Sequence, residues 1–518
     1  MLSGFYHNKE YFCHYSLHGH LEFFLSTLKS FATHKSTNVL FLHVMRFDFA
    51  SLLWDSIYNS KVQRAPDSIF FSLIKEKVTI EIHMGKVQFG KIIYHSENSH
   101  PVTVHIIDSF SFFKTSLKAA LIMLKASVQK EERPEDFGLK IESWNRIKKY
   151  FRADLKGGFL LGEAIINFHK QNDVSLSVSV AHLSSKIFRH KYLKFDIKKL
   201  HKIDNWLSLR SYHGGKNGFY VEPGRYKCKE LDIRSAYPEA MKQLPNFYHG
   251  KIKVVKEFTS IHGIYSIKGY VKDCKYSIIF TDNFKAIKGQ RVENAHITGY
   301  ELKEAIDSGE LELESCNGIV WSHSDTTDSP FIKFVDDMYE KKEHSTNKVE
   351  RYFYKTILSS LYGKFIQRVE IDSHKYRVGS MFFPFLASLI TGFVRAKIHR
   401  LEHEYQSLHT ATDSVMTMKD FTETSTEIGS LKLEVDGICD ILRCKLYVHY
   451  DKQGIPVKWG LHGFQGTVDD LVKFITENDI YKIKKAQYIV KRLVGWKESF
   501  HTGLHPNQQI ERKMELRI

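Results

Sequence analysis

Three short segments of the sequence carry side chains that could bind metal ions and a nucleotide. The first, Asp232-Ile-Arg-Ser-Ala-Tyr-Pro238, places an aspartate at the end of a short strand-like run. A sheet holds such a carboxylate rigidly, which is what a metal ligand requires. The alternative is an ordinary turn at the end of a strand, with Asp232 as a cap and Tyr237 in the core. The fixed spacing of Asp, Ser, Tyr and Pro favours the metal site.

The second segment, Lys355-Thr-Ile-Leu-Ser-Ser-Leu-Tyr-Gly-Lys-Phe365, has a helical pattern. At about 3.6 residues per turn, Lys355, Ser359 and Tyr362 lie on one face of the helix. A lysine ammonium binds phosphate and a flat ring stacks on a base, so this face could hold the triphosphate, sugar and base of one nucleotide. Gly363 would permit close backbone approach where the helix ends. The alternative is an amphipathic helix with a C-terminal glycine.

The third segment, Thr412-Asp413-Ser414, is by itself typical of a capped turn. Its position gives it significance, because Asp413 follows Asp232 by 181 residues. Lys445 and Tyr447 come next, with Lys445 32 residues after Asp413. In a strand these two side chains would share one face, from which Lys445 could contact backbone phosphates with Tyr447 packed beside it.

The elements that must position these residues alternate between strands and helices over the first two hundred residues. The pattern predicts strands at Asn38–His43 and Val102–Ile107, and helices at Leu117–Leu124 and Asp154–His169. Such alternation is typical of an α/β layer domain. The glycines within Tyr212–Gly218 mark a turn or hinge after it.

Beyond the hinge the sequence predicts strands first, then helices, then a further strand. The predicted elements are strands at Lys229–Ile233, Ile252–Val255, Ile264–Val271 and Ser277–Phe280, two helices between Phe331 and Phe365, a helix at Phe382–His403 and a strand at Leu442–Tyr450. The residues from Asp451 onward show a mixed secondary-structure pattern and are rich in basic side chains.

Composition excludes several classes of protein. A chain of 518 residues suits about two to four domains, and 42% hydrophobic residues rule out wholesale disorder. Lys plus Arg (75) exceed Asp plus Glu (59), giving a net charge of +16. This charge indicates a polyanionic partner, nucleic acid first and an anionic membrane surface second.

Cysteine usage and hydropathy bear on the compartment. The six cysteines form no CxxC pair, so a disulfide scaffold or a zinc ribbon is not expected. The longest apolar stretch, Met381–Val394, is interrupted by polar residues and falls short of the roughly 20 apolar residues that span a bilayer. We expect a core helix there, no membrane association, and a soluble protein in a reducing intracellular compartment.

In this order, Asp-x-x-Ser-x-Tyr-Pro, Lys-x6-Tyr-Gly-Lys, Thr-Asp-Ser and Lys-x-Tyr resemble the motifs of family B DNA polymerases. The resemblance is specifically to the protein-primed branch of phages, adenoviruses and linear plasmids, and it extends over nearly the whole chain. Tyr212-His-Gly-Gly215 resembles the hinge between the exonuclease and polymerase domains. Asp108-Ser-Phe with Ser116-Leu117 resembles the segment of the exonuclease domain that binds the primer strand.

The resemblance implies an α/β plus α+β multidomain fold. A ribonuclease-H-like, exonuclease-type domain would be followed by a right-hand polymerase with palm, fingers and thumb. The implied domains are exonuclease-like 1–205, first palm part 206–330 with a terminal-protein-region insertion at about 250–325, fingers 331–366, second palm part 367–450 and thumb 451–518.

The implied function is DNA-templated DNA synthesis by two-metal nucleotidyl transfer to a 3′-hydroxyl or to a protein primer. Asp232 and Asp413 would be the catalytic carboxylates and, with the carbonyl of Ile233, would hold two Mg²⁺ ions, for which Mn²⁺ could substitute. Tyr237 would exclude a 2′-hydroxyl and Tyr362 would close over the nascent pair. The implied nucleotide-binding residues are Ser235, Ala236, Tyr237, Lys341, Lys342, Lys355, Ser359 and Tyr362.

The implied partners are primer–template DNA, deoxynucleoside triphosphates and a terminal protein, and the implied role is replication of a viral or linear mobile-element genome by a monomer. The implied DNA-binding residues are Tyr212, Gly214, Gly215, Ser360, Gly363, Lys364, Thr412, Lys445, Tyr447, Ser116 and Leu117.

Three features depart from the family pattern. Ala411 stands where an aspartate is usual, and Ser359 where an asparagine is usual. Only sixteen residues separate Phe365 from Phe382, so the second insertion, which encircles DNA in relatives, is heavily shortened. We therefore expect weaker processivity and strand displacement, measurable as product length from a single binding event.

The exonuclease motifs are incomplete. Asp48 within His-Val-Met-Arg-Phe-Asp resembles the second motif, and Tyr150 with Asp154 resembles the third. The first motif should precede Asp48, where the sequence has no aspartate. A two-metal hydrolytic site that lacks half its carboxylates loses metal affinity, so we expect weak or absent proofreading, by loss or through truncation.

Two other functions remain open at this point. The first is a catalytically degraded relative that binds DNA as a replication accessory, against which Asp232, Lys355, Tyr362 and Asp413 together argue. The second is an RNA polymerase or reverse transcriptase, which is disfavoured because Tyr237 should block ribonucleotides.

Overall fold

The structure of the chain is a computed structural model that describes most of the sequence. The described residues are 2–15, 20–34, 37–45, 52, 70–75, 77–84, 87–97, 99–131, 144–194, 197, 202–323, 325–372, 375–478, 485–493, 504 and 508–517. Among them, no helix combines the length and apolar character needed to cross a membrane.

The described residues form strands and helices along the whole chain. The strands are β1 Leu2–His7, β2 Glu10–Tyr15, β3 Asn38–Leu42, β4 Phe70–Lys75, β5 Val78–Met84, β6 Gln88–Tyr94, β7 Val102–Asp108, β8 Lys216–Phe219, β9 Gly224–Ile233, β10 Ile252–Val255, β11 Gly263–Val271, β12 Gln290–Thr298, β13 Leu311–Trp321, β14 Arg368–Asp372, β15 Lys375–Val378, β16 His409–Thr412, β17 Ser414–Thr417, β18 Leu431–Arg443, β19 Leu446–Tyr450, β20 Pro456–Leu461, β21 Lys485–Leu493 and β22 Gln509–Arg517. The helices are α1 His20–Phe31, α2 Phe110–Phe113, α3 Leu117–Met123, α4 Trp144–Gln171, α5 Val180–Lys191, α6 Lys202–Ser211, α7 Ala236–Lys242, α8 Gly299–Asp307, α9 Pro330–His344, α10 Lys348–Ser360, α11 Pro384–Tyr405 and α12 Val468–Asn478, with a 3-10 turn at Tyr362–Ile366.

The N-terminal region contains a five-stranded sheet in the order β3-β7-β6-β5-β4. Only the β3–β7 pair is parallel, and the other pairs are antiparallel. Helix α1 buries Leu21, Phe24 and Leu28, whose spacing of three and four residues gives the helix one apolar stripe. The predicted α/β layer is therefore present.

The centre of the molecule is a seven-stranded antiparallel sheet in the order β20-β19-β18-β9-β17-β16-β8. Side chains alternate along β9, so Leu231 and Ile233 point toward the large core that they share with Leu386 and Ile390 of α11. Asp232 therefore points to the opposite face. The long helix α11 covers one side of the sheet and leaves the other for the polar residues of β9.

Helices α9 and α10 form a pair that packs against the N-terminal helices. The Phe188 and Phe331 ring centroids lie 5.1 Å apart, and those of Phe168 and Phe353 lie 4.8 Å apart. Burial of each such ring contributes about 1.5–3 kcal/mol. Asn347 caps the start of helix α10, where its side chain accepts a hydrogen bond from Val349 N at 2.9 Å. The two-helix pair predicted from the sequence is present and is anchored by α4 and α5.

A second sheet, β10-β13-β11-β12, carries helix α8 and occupies residues 252–321. Arg368–Asp372 and Lys375–Val378 form a short hairpin where the second insertion of the family would lie. At the C-terminal end, β21 and β22 pair as a hairpin, and the Tyr488 ring stacks on Phe464 at 4.6 Å.

Two predicted strands are wrong. Ser277–Phe280 forms a single isolated bridge rather than a strand, because the Ile278 N–H donates to the Glu310 carboxylate at 3.1 Å instead of to a neighbouring strand. The run Leu442–Tyr450 is two strands, not one. Lys445 adopts the left-handed conformation at φ 58° and turns the chain from β18 into β19.

Candidate active site

Asp232 and Asp413 meet at one end of the central sheet. Asp232 is the penultimate residue of β9, and its register partner on β17 is Ser414, the residue that follows Asp413. The Ile233 N–H donates to the Asp413 carbonyl at 2.9 Å. Strand pairing thus brings together two aspartates that are 181 residues apart in the sequence.

The electrostatics of this pair suit a cation. Burial, followed by the charge of Asp413, raises the pKa of Asp232 to about 7, and burial also raises the pKa of Asp413. Within the described part of the chain, neither carboxylate forms a salt bridge, and the nearby Lys458 ammonium binds Glu230 at 2.9 Å instead. Two half-buried carboxylates without a positive partner form a donor set that hard divalent ions such as Mg²⁺ prefer.

An aromatic stack lies beside the aspartates. The Tyr237 and Tyr362 ring centroids are 4.3 Å apart with their planes inclined by 4°. Ser235 adopts the left-handed conformation at φ 54° and makes the tight turn from β9 into α7. Tyr237, five residues after Asp232, lies in the first turn of α7. Burial, with a further contribution from the charge of Asp413, raises the pKa of both Tyr237 and Tyr362. Burial, followed by the charge of Tyr362, raises the pKa of Tyr212. The structure thus gathers three of the predicted tyrosines.

The predicted helical face of Lys355, Ser359 and Tyr362 is only partly correct. Helix α10 ends at Ser360, and Tyr362 lies in the following 3-10 turn. Lys355 and Ser359 are exposed, and the Ser359 hydroxyl donates to the Lys355 carbonyl at 3.2 Å. A Cβ added at Gly363 would meet nothing within 4 Å, so no protein contact requires a glycine there.

The other predicted nucleotide-binding residues occupy two places. Ser235 and buried Ala236 form the β9–α7 turn. On α9 the Lys342 ammonium lies 3.9 Å from the Tyr339 ring centroid and pairs with Glu343 at 2.8 Å. Burial lowers the pKa of Lys341.

The hinge segment is fixed by an arginine that the sequence analysis missed. Arg395 of α11 is fully buried and donates through Nη1 to the carbonyls of His213 (2.6 Å) and Gly214 (2.9 Å). Its Nε donates to Glu301 at 2.6 Å. A Cβ at Gly215 would lie 2.5 Å from the Thr412 side chain, so only glycine permits the hinge to contact the Asp413 turn. The signal was an arginine directly after the apolar run that ends at Val394.

The remaining predicted DNA-binding residues of this region surround the Asp413 turn. Thr412 has φ 65°, and its hydroxyl accepts from Lys445 Nζ at 3.3 Å. Tyr447 is buried on β19, next to His409. Ser360 donates its hydroxyl to the Thr356 carbonyl.

Lys364 is buried, with 9% of its surface exposed, and this burial lowers its pKa from 10.5 to about 8. Below about pH 8 the charged side chain costs folding free energy, and the cost disappears as the folded state releases its proton between about pH 8 and pH 10.5. We therefore expect Lys364→Met to raise the free energy of unfolding by about 2 kcal/mol at pH 7 and much less near pH 10. Urea unfolding at both pH values measures this difference.

The matched control for that variant is Lys473→Met, which removes an ammonium from a side chain that is 73% exposed on α12. It should change stability by less than about 0.5 kcal/mol at either pH. A Lys364→Met protein less stable than the parent at pH 7 would show that the ammonium is stabilised by its surroundings, among them Gln367 Oε1 at 3.1 Å.

The predicted residues of the N-terminal region lie apart from the aspartate pair. Ser116 caps α3 by accepting from Ala119 N at 3.3 Å, and Leu117 is buried in the core. Asp154 and Tyr150 share one side of α4, where Lys130 Nζ lies 3.4 Å from Asp154 Oδ2. Asp48 lies outside the described residues.

Comparison with known proteins agrees with this architecture. Residues 144–380 match the family described as DNA polymerase type B, organellar and viral. The chain is 23% identical over 275 residues to the primer-independent DNA polymerase PolB of Escherichia coli, a match that covers 45% of the chain and 30% of that protein. It is 25% identical over 239 residues to a probable DNA polymerase of Agaricus bitorquis, covering 40% of the chain and 29% of that protein.

The chain therefore spans about three tenths of the length of the curated relatives that it matches. In fold, it is similar to Phi29 DNA polymerase complexed with primer-template DNA. The TM-score is 0.67 at 16% identity, over 98% of this chain and 94% of that one. The expected multidomain α/β fold is confirmed. The chain is thus similar to the type B DNA polymerases, organellar and viral, over residues 144–380, and to Phi29 DNA polymerase in fold, in line with its resemblance to the protein-primed branch of family B.

Proposed function

We propose that this chain is a DNA-templated DNA polymerase that adds deoxynucleotides to a 3′-hydroxyl or to the hydroxyl of a protein primer. The observation that carries the proposal is the meeting of Asp232 and Asp413, without a positive partner, beside the Tyr237–Tyr362 stack. A protein that only binds DNA needs a basic surface, not a buried pair of repelling carboxylates.

Asp232 and Asp413, with the carbonyl of Ile233, would hold two Mg²⁺ ions, or Mn²⁺ in their place. Bound there, the ions lower the pKa of the attacking hydroxyl and neutralise the departing pyrophosphate. The raised pKa values of both aspartates support this assignment, because each carboxylate gains more from a cation than an ordinary surface aspartate does.

The nucleotide would lie between the sheet and the helix pair. Lys355 on α10, together with Lys341 or Lys342 on α9, would pair with the triphosphate, and the Ser235–Ala236 turn would face it. Tyr237 would pack under the sugar, and Tyr362 would cover the base pair once the two rings separate. Ser359, exposed one turn after Lys355, would contact the nucleotide or the template.

The template and primer would lie along the hinge and the Asp413 turn, beside this site. The hinge residues Tyr212, Gly214 and Gly215 would contact the template, and Lys445 the primer backbone. The other proposed contacts are Ser360, Gly363, Lys364, Thr412, Tyr447, Ser116 and Leu117. The net charge of +16 predicts binding that weakens steeply with salt.

We assign the domains as first expected, with one refinement. Residues 1–205 would form the exonuclease-like domain, 206–330 and 367–450 the palm, and 331–366 the fingers. Because β20 (Pro456–Leu461) completes the seven-stranded sheet, we extend the palm to residue 461 and begin the thumb after it. The sheet at 252–321 is where a terminal protein would dock.

The test is extension of a primed template by the purified chain with Mg²⁺ and all four deoxynucleoside triphosphates. Lengthening of the primer, read on a denaturing gel, supports the proposal. A second reaction replaces the primer with a candidate terminal protein and measures label transferred to that protein. DNA binding without any incorporation in either reaction would favour the catalytically degraded accessory instead.

Selection against ribonucleotides should depend on the Tyr237 ring. Replacement by the smaller valine opens space for a 2′-hydroxyl, so we expect Tyr237→Val to raise the use of ribonucleotides relative to deoxynucleotides by about 10²-fold. The ratio of kcat/KM values for matched triphosphates measures this. The control Tyr237→Phe keeps the ring and should keep the ratio. Equal ratios in the valine variant and the parent would remove Tyr237 from sugar selection.

We propose that 3′-5′ proofreading is weak or lost in this chain. The Lys130 ammonium lies 3.4 Å from Asp154, where it neutralises the carboxylate that a metal ion would need. A mismatched 3′ end should therefore persist when the chain is incubated with Mg²⁺ in the absence of nucleotides, and Asp154→Ala should change nothing. Excision that disappears in Asp154→Ala would contradict this expectation.

A further inference from the structure

A second group of metal-ligand side chains lies on the same face of β9 as Asp232, nearer the start of that strand. Cys228 on β9, Cys439 on β18 and His449 on β19 are all buried, and one ligand atom from each lies within 4.8 Å of the other two. His449 is the register partner of Cys439, and Cys228 pairs two residues away with Gly437. Both cysteines are free thiols. Three neighbouring strands therefore each contribute one ligand.

The histidine of this group is oriented by its backbone contact. His449 Nε2 lies 3.2 Å from the carbonyl oxygen of Cys228, so Nε2 carries the proton and donates it to that oxygen. Nδ1 is then the nitrogen with a free lone pair. It is buried and, among the described residues, has no hydrogen-bond partner. Metal-binding histidines are held in the same way, by a hydrogen bond from the nitrogen that does not bind the metal.

Glu230, two residues from Cys228 on the same face of β9, lies outside the group whose ligand atoms are all within 4.8 Å of one another and would supply the fourth ligand. Its Oε1 accepts from Lys458 at 2.9 Å and from Ser414 at 3.0 Å. Its Oε2 is buried without a hydrogen-bond partner within the described chain and lies 3.9 Å from His449 Nδ1. Two acceptor atoms that face each other unpaired in a buried site cost free energy unless a proton or a metal cation lies between them.

We propose that Cys228, Cys439, His449 and Glu230 bind one Zn²⁺ ion. Two sulfurs, one imidazole nitrogen and one carboxylate oxygen form a tetrahedral zinc donor set, with ligand atoms about 3–4 Å apart. The ligand atoms of Cys228, Cys439 and His449 lie within 4.8 Å of one another, and side-chain rotations would bring them and Glu230 Oε2 to the separation that zinc requires. Mg²⁺ avoids sulfur, so this site and the aspartate pair select different metals.

The proposed ion would be structural. It has four protein ligands and lies in an apolar cluster that includes Leu408, Met416 and Ile441. It would tie β9, β18 and β19 together four residues before Asp232, and so hold the strand that presents this carboxylate. No local motif predicts the site, since its cysteines are 211 residues apart and lie outside any CxxC pair. Zinc binding at this site does not depend on the proposed polymerase activity.

The test is the zinc content of the full chain, purified without chelators and measured by plasma mass spectrometry. We expect close to one zinc ion per chain in the parent and about a tenfold loss in Cys228→Ser and in Cys439→Ser. Cys316→Ser, which changes a buried cysteine of the β10–β13 sheet, should keep the zinc. Asp232→Asn should also keep it, and this result separates the zinc site from the catalytic metals even if the chain proves inactive.

A second measurement does not depend on how the variants fold. The parent chain, stripped of metal and loaded with Co²⁺, should show the intense near-ultraviolet absorption of cobalt–thiolate bonds, and added Zn²⁺ should abolish it. A parent chain without zinc and without this cobalt spectrum would overturn the proposal. So would a Cys228–Cys439 disulfide in the mass spectrum, or a Cys316→Ser variant that loses as much zinc as Cys228→Ser.

Discussion

Replacing Asp232 with asparagine should reduce nucleotide incorporation by about 10³-fold or more while leaving DNA affinity nearly unchanged. The amide keeps the size of the side chain but removes the negative charge that would hold the divalent ions. Asp232 lies at a strand end, so the change buries no new surface, and removal of its repulsion with Asp413 should make the folded chain slightly more stable. Activity and stability should therefore move in opposite directions.

The measurement is single-nucleotide extension of a labelled primer, together with binding of the same duplex at constant salt. Asp420→Asn is the matched control, because it makes the same chemical change at a fully exposed aspartate, which forms an ion pair with Lys229. Its activity should equal that of the parent. Equal and poor incorporation by the parent and Asp232→Asn would mean that these carboxylates are not catalytic, and the DNA-binding accessory would be the better description.

Much of this site follows from local sequence patterns. The strand at Lys229–Ile233, the glycine hinge and the paired helices all depend on signals within a few residues, and the structure has each of them. The meeting of Asp232 with Asp413 does not follow from such signals. It depends on the pairing of β9 with β17, which only the resemblance to a family could suggest.

Other features of the structure were not predicted from the sequence, for identifiable physical reasons. The turn at Lys445 has no glycine, proline or asparagine, so the apolar residues on both sides gave the pattern of one strand. Ser277–Phe280 has strand-like residues, but its Ile278 N–H donates to the side chain of Glu310 and not to a neighbouring strand. The four proposed zinc ligands are spread over three strands, and β9 is far from the other two in the sequence. These structures depend on contacts between residues that are far apart in the sequence, and the local periodicity of the sequence does not show such contacts.

The buried Arg395–Glu301 pair should contribute the largest single effect on stability. Both side chains are almost completely buried, at 0% and 1% exposure. Burial alone would raise the pKa of Glu301, but Arg395 and the hydrogen bond from Thr298 hold it below its usual range. The carboxylate therefore stabilises the fold above about pH 4.5, and this contribution is lost as the pH falls through its lower folded pKa. Arg395 also fixes the carbonyls of His213 and Gly214.

We expect Arg395→Met to lower the free energy of unfolding by about 3–5 kcal/mol, because it leaves Glu301 charged and buried without its cationic partner. Urea unfolding at pH 7 measures the loss. The double variant Arg395→Met/Glu301→Gln removes the orphaned charge and keeps a capping side chain for α8, so it should recover at least about half of the loss.

The control on the same helix is Arg400→Met, in which the arginine is 55% exposed and should cost less than about 1 kcal/mol. Equal losses in Arg395→Met and Arg400→Met would show that burial of the pair does not matter. The hinge gives a second readout, because His213 and Gly214 lose their donor only in the Arg395 variants. Both the single and the double variant should therefore bind primed DNA more weakly than the parent, even though the double variant regains stability. Loss of DNA affinity that follows stability across all three variants would instead mean that Arg395 acts only through the fold.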